Sequence, residues 1–221
     1  MLLDGVAALA SILRQAGYQS VAAAVAEHTV FLDPRTVVQS AGSPIFPVIR
    51  GMPARGTFTT LTDGRTVMLD DNTTPTWAFL SAAGRGNGRD VQYNHVWSDA
   101  KNPDLYTALW NLCVSPAFLA KTTDGQNHPE VRAMLRYRAF QLYGYLPTGE
   151  SPPDIPDGFH ELKWAPMPDP VPDLEAAYRH RLATAPKSRP ALAARTLGWL
   201  FSEGKPDGTV GFDRALPGGS T

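Results

Sequence analysis

The sequence predicts an α+β fold, with a small antiparallel β core that carries a strand–strand–helix element and is flanked by N- and C-terminal helices. Three observations predict it. Helical periodicity falls at the two ends of the chain and in one central run, while β-prone runs cluster between residues 44 and 114. The 20 prolines and 19 glycines exceed ordinary usage, which favours many turns and short elements over a long-helix bundle. Hydrophobic residues at 43% and charged residues at 19% are those of a folded soluble domain, not of a disordered chain, a coiled coil or a collagen-like fibre. At 221 residues one domain is expected, organised as N-terminal helices (1–43), a β core with its helix (44–146), a Pro-rich strap (147–172) and C-terminal helices with a tail (173–221).

Residues 2–16 read as an amphipathic helix with Leu2, Val6, Leu9, Leu13 and Ala16 on one stripe, ended by Gly17. Ser20 is placed to cap a second helix, Val21 to Glu27, and Asp33-Pro34 breaks the pattern. Ile45 to Ile49 reads as a short strand that Pro47 demotes to a sheet edge. Thr57–Leu61 and Thr66–Asp70 flank Thr62-Asp63-Gly64-Arg65, a hairpin signal. Thr74-Pro75 resembles a cap and first position of a helix holding Trp77, Phe79 and Leu80. Val91 to Trp97 and Leu109 to Val114 read as strands. Pro116 and Ser115 open a short helix over Ala117–Thr123. Pro129 opens the clearest helix, Glu130 to Tyr143, with Val131, Leu135 and Leu142 inward. The prolines of 147–172 preclude regular structure, but Ile155, Phe159, Leu162, Trp164 and Met167 are too apolar for a free linker, so a strap across the core is expected. Two helices follow, Asp173–Thr184 and Ser188–Ser202, before a Gly/Pro/Asp-rich tail from Gly204 that is expected to be loose.

One constellation carries chemistry. Asn94-His95 closes a strand, Asn111 follows sixteen residues after His95, and a short helix comes next. This strand–loop–strand–helix order resembles the ββα-metal fold of HNH nucleases over roughly residues 90–125. The resemblance implies a metal-dependent endonuclease that hydrolyses phosphodiester bonds, with DNA rather than RNA as the expected substrate. His95 would be the general base, Asn94 and a helix side chain would hold a divalent cation (Mg, Mn, Ni or Zn), and Asn111 would brace the loop and orient His95. The family's usual helix ligand, about nine residues after the middle Asn, falls here on Ala120. Asp124, one turn later on the same side, is the expected substitute. Pro116 and Leu119 stand where many members carry cysteines, so no structural zinc is implied.

Each residue also has a plainer reading. His95 suits a half-buried histidine between Tyr93 and Trp97, Asn111 a turn cap, and Asp124 an Asx turn with Gly125. Asp70-Asp71-Asn72 reads as turn chemistry ahead of a capped helix, or as carboxylates for a metal. For nucleic acid, Arg132 and Arg136 share a helix face, and residues 173–201 hold five basic side chains, among them Arg179, Arg181, Lys187 and Arg189, against two acidic ones. A net charge of −1 gives no global basic field, so binding would rest on such patches. Arg50, Arg55 and Arg65 flank the hairpin and are placed to line a cleft. The alternative function is a non-catalytic nucleic-acid-binding, protein-interaction or structural protein that keeps a ββα shape. A palindromic target would imply a homodimer. Lone Cys113 suits a reducing compartment and is expected to be a small buried hydrophobe. No apolar run approaches membrane length, and an acid at Asp4 argues against a signal peptide, so a cytoplasmic location is expected.

Overall fold

Local capping sets where the helices start. In the computed structural model, which describes residues 4–124 and 127–202, the side chain of Asp4 accepts from the amides of Val6 and Ala7 at the head of α1 (Gly5–Gln15). Ser20 Oγ accepts from Ala23 at 3.0 Å and opens α2 (Val21–His28), whose Ala24, Val25 and Ala26 are fully buried. Asp33-Pro34 starts a helix instead of only ending one. Asp33 caps through Arg35, and Pro34 takes the first position of the single-turn α3 (Pro34–Val37), where its missing N–H costs nothing.

The first sheet has three strands, β1 (Val48–Arg50), β2 (Phe58–Thr60) and β3 (Thr66–Asp70), in the order β1-β3-β2. The predicted hairpin pairs β2 with β3 antiparallel, Thr60 opposite Thr66. β1 adds to the other side of β3 in parallel, Val48 opposite Met68 and Arg50 opposite Asp70. It is an edge strand, as Pro47 requires. α4 (Thr73–Ala82) starts three residues after Asp70, with Asn72 in the cap position, two residues before the expected Thr74. Asp71 and Asp70 supply the capping oxygens instead, accepting from the Thr73 and Thr74 amides at 2.8 and 3.0 Å.

A second, two-stranded antiparallel sheet joins β4 (Val91–His95) to β5 (Leu112–Pro116), with Asn94 opposite Cys113 and His95 opposite Leu112. Between them lie the single-turn α5 (Pro103–Tyr106) and a 3-10 turn, Leu109–Asn111. α6 (Ala117–Asp124) follows β5 directly and packs on both strands. The second strand therefore begins at Leu112, and Asn111 closes a turn rather than lying within a strand. α7 (Pro129–Tyr143) ends at Gly144, whose left-handed backbone (φ 71°) stops the helix.

Residues 147–172 do form a strap. Their regular structure is one 3-10 turn, Phe159–Glu161. The strap is pinned by Ala165 N–H to Ala26 C=O (3.1 Å) and Val171 N–H to Thr36 Oγ1 (2.9 Å). Gln39 spans its exit, donating to Val171 C=O and accepting from Leu174 N–H, both at 2.8 Å. α8 (Leu174–Thr184) and α9 (Arg189–Leu197) are capped by Asp173 and Ser188. The fold is α+β. Its core runs from Val25 and Leu32 through Phe46, Met68, Tyr106, Leu112 and Met134 to Leu174 and Tyr178. Cys113 is buried in it. No described helix is long and apolar enough to cross a membrane. The tail from Gly204 lies outside the described residues.

Candidate active site

The strand–loop–strand–helix segment builds the site from a buried amide outward. Asn111, fully buried, accepts from Trp97 N–H at 2.7 Å and donates to Trp97 C=O at 3.2 Å and Leu105 C=O at 3.0 Å. One carboxamide thereby ties both ends of the loop that follows β4. The next residue after Leu105 is Tyr106, and it holds His95. The imidazole stacks on the phenol ring with centroids 5.1 Å apart and planes within 11°. Nε2 lies 2.9 Å from the Tyr106 carbonyl oxygen. A carbonyl can only accept, so Nε2 carries the ring proton and the lone pair of the neutral imidazole is on Nδ1. His95 is half-buried on Tyr106, while Trp97 and Trp110 pack edge to face on each other at 5.6 Å.

Asn94 leaves β4 on the opposite face from His95, as consecutive strand residues do. It is 2% exposed and donates to Ser115 Oγ at 2.7 Å, and its Oδ1 is buried without a hydrogen-bond partner among the described residues. An orphaned amide oxygen is a donor that suits a hard cation. Ala120 is fully buried. Asp124 closes α6, and its side chain lies outside the described residues. No group of three or more His, Cys, Asp or Glu side chains gathers among the described residues. The structure thus joins His95 to Asn111 through residues 105–106, and leaves Asn94 on the other face of β4 with a buried Oδ1 that has no hydrogen-bond partner among the described residues.

Tyr106 was not singled out by the sequence, although Asn102-Pro103 was a usable signal. Asn102 Oδ1 caps through Asp104 N–H at 3.0 Å and Pro103 takes the first helical position. The Tyr106 hydroxyl donates to the Asp71 carbonyl at 2.5 Å. Burial pushes this phenol well above its ordinary pKa, reinforced by the Asp70 charge, so it stays a donor.

Asp70 and Asp71 form a clamp beneath it. Asp70 is fully buried, takes both donors of Thr74 and is ion-paired with Arg189 Nε without an aligned hydrogen bond. Burial outweighs these partners and raises its carboxyl. Burial would raise Asp71 too, but hydrogen bonds from Thr73 and Arg55 and the Arg189 charge outweigh it and hold Asp71 well below the usual carboxylate range. Asp71 pairs with Arg55 at 2.9 Å and Arg189 at 2.8 Å.

Comparison with protein-family models, curated proteins and solved structures gives no match in any of the three.

The cations expected to grip phosphate are largely turned to internal work. Arg189 is spent on Asp70, Asp71 and Thr73. Arg179 pairs with Glu175, donates to Phe201 C=O and lies over Trp199; Arg181 lies over Trp77 at 5.0 Å. Arg136 lies 5.8 Å from the ring centre of Trp97, the residue that Asn111 holds, with a buried Nε that lacks a hydrogen-bond partner among the described residues. Arg132 is half-buried and Lys187 exposed. A planar guanidinium prefers an indole face or a carboxylate fork to isolation, and this chain supplies both nearby.

Proposed function

We propose that the chain is a metal-dependent, HNH-like endonuclease that hydrolyses phosphodiester bonds, in DNA rather than RNA. Asn111 carries this reading. It fixes the loop between two antiparallel strands, and that loop in turn fixes the one histidine at the end of the first strand. A general base must be held in one tautomer before substrate arrives, and a neutral imidazole with its lone pair on Nδ1 is competent near pH 7. His95 Nδ1 would take a proton from the attacking water. Arg136 beside Trp97, Arg132 on the same helix and exposed Lys187 would meet phosphates. A divalent cation (Mg, Mn, Ni or Zn), when bound, supplies positive charge to the phosphate and the leaving oxygen. Asn94 Oδ1 and Asp124 would hold it.

A second reading, a nucleic-acid-binding or interaction protein that keeps the ββα shape without catalysis, is favoured by Ala120, buried at the position of the usual helix ligand.

The two separate in a cleavage assay on plasmid, linear duplex, single-stranded DNA and RNA, with each of the four cations and with EDTA. Cutting that needs a cation and weakens in Asn94→Ala and Asp124→Ala supports the endonuclease. Retention of DNA in gel shifts with no cutting under any cation supports the binding protein.

A further inference from the structure

We propose that Tyr106 is the positioning residue of His95, holding the imidazole through its own ring and carbonyl while its hydroxyl is tied to the end of β3. This rests on the reading of His95 as a general base, but the geometry stands apart from that chemistry. The stack alone fixes the plane of the imidazole and leaves it free to turn over, which would exchange the two nitrogens. The carbonyl alone fixes Nε2 and leaves the plane free to tilt. One residue supplies both constraints, at 5.1 Å and 11° for the rings and 2.9 Å for the hydrogen bond.

Tyr106 is itself held from two sides. On the backbone side, Asn111 donates to the carbonyl of Leu105 at 3.0 Å. On the side-chain side, the fully buried phenol donates to the Asp71 carbonyl at 2.5 Å. Asp71 sits at a junction of three parts of the fold. Its carboxylate accepts from Thr73 N–H at the start of α4, from Arg55 in the β1–β2 connection and from Arg189 at the head of α9. Four separate segments therefore bear on one imidazole. A displacement of about 1 Å at a reacting group costs on the order of a hundredfold in rate, so a support of this kind is felt in kcat.

Tyr106→Phe in the full chain keeps the ring and the carbonyl and removes only the tie to Asp71. Long-range 1H–15N correlation of the histidine rings, with His95→Gln to assign the signal, reads the tautomer without needing any cleavage. In the unaltered protein His95 is expected to be a single Nε2-protonated tautomer. In Tyr106→Phe its signals are expected to move toward a tautomer mixture, and kcat for cleavage to fall about tenfold with KM unchanged. A mixed or Nδ1-protonated His95 in the unaltered protein overturns the proposal whatever the variant does. So does a variant whose His95 signals and kcat both match the unaltered protein. The predicted ring signals in a protein that cuts nothing would leave Tyr106 in place as the support of His95 and remove the endonuclease reading instead.

Discussion

Arg189 shows how a single side chain changes meaning between sequence and structure. In sequence it belongs to a basic stretch; in the fold it crosses 118 residues to reach Asp71 and neutralises Asp70, which is fully buried. Removing one member of a buried pair costs about 3–5 kcal/mol, because the other charge is stranded. Arg189→Ala is therefore expected to lower the melting temperature by on the order of 10 °C, whereas Lys187→Ala leaves it unchanged. Equal melting temperatures for the two variants would contradict this. The neighbouring carboxylates also respond oppositely to acid. Asp71 is depressed, so its contribution to stability is complete above the ordinary value of 3.8 and is lost as pH falls below that toward its lower folded value. Asp70 is raised, so its contribution grows as pH falls through its folded value toward 3.8. Urea midpoints at pH 7, 5, 4 and 3 should fall less steeply for Asp71→Asn than for the unaltered protein; parallel curves would contradict the clamp.

At the scale of elements, legibility followed range. The caps at Ser20, Asp173 and Ser188 and the Asp63-Gly64 hairpin were readable because each depends on a few neighbouring residues. The parallel pairing of β1 with β3 was not, because nothing local to either strand encodes its partner. The site divides the same way. The sequence singled out His95 and Asn111 from their spacing and the following helix, and in the fold Asn111 ties Trp97 and Leu105 together. Tyr106 was missed because its hydroxyl and ring act on residues 35 and 11 positions away. Nor did the sequence reveal that Asn94 is tied to Ser115 across the sheet. Asn111→Ala strands the Trp97 amide and carbonyl and the Leu105 carbonyl in the core. It is expected to destabilise the protein by about 3 kcal/mol or more, measurable by chemical denaturation, and a loss under about 1 kcal/mol would show that the loop holds itself.

Over the whole molecule, the Pro-rich strap makes the two ends of the chain one body. Trp164 packs edge-on against Phe31 and near Phe159, and Arg138 of α7 lies over its ring at 4.9 Å. Gln39 closes the exit by pairing with both Val171 and Leu174. The strap's composition announced packing against the core, since a free linker has no use for so many apolar side chains; Phe159 is buried and Leu162, Trp164 and Met167 are half-buried, while Ile155 stays exposed. Gln39→Ala is expected to speed hydrogen exchange at the Leu174 amide by about tenfold while leaving the β4–β5 amides protected; unchanged exchange at Leu174 would contradict the pinning. The Arg189 clamp and the Asn111 loop both bear on His95 through residues 105–106, and the proposed function rests on catalysis by that histidine. Its most direct test is the cleavage rate of supercoiled plasmid by the unaltered protein and by His95→Ala, under the cation that supports the fastest cutting. A loss of at least about a hundredfold in a variant that keeps its melting temperature is the predicted result. Cutting that persists in His95→Ala, or no cutting by the unaltered protein with any of the four cations, would contradict it.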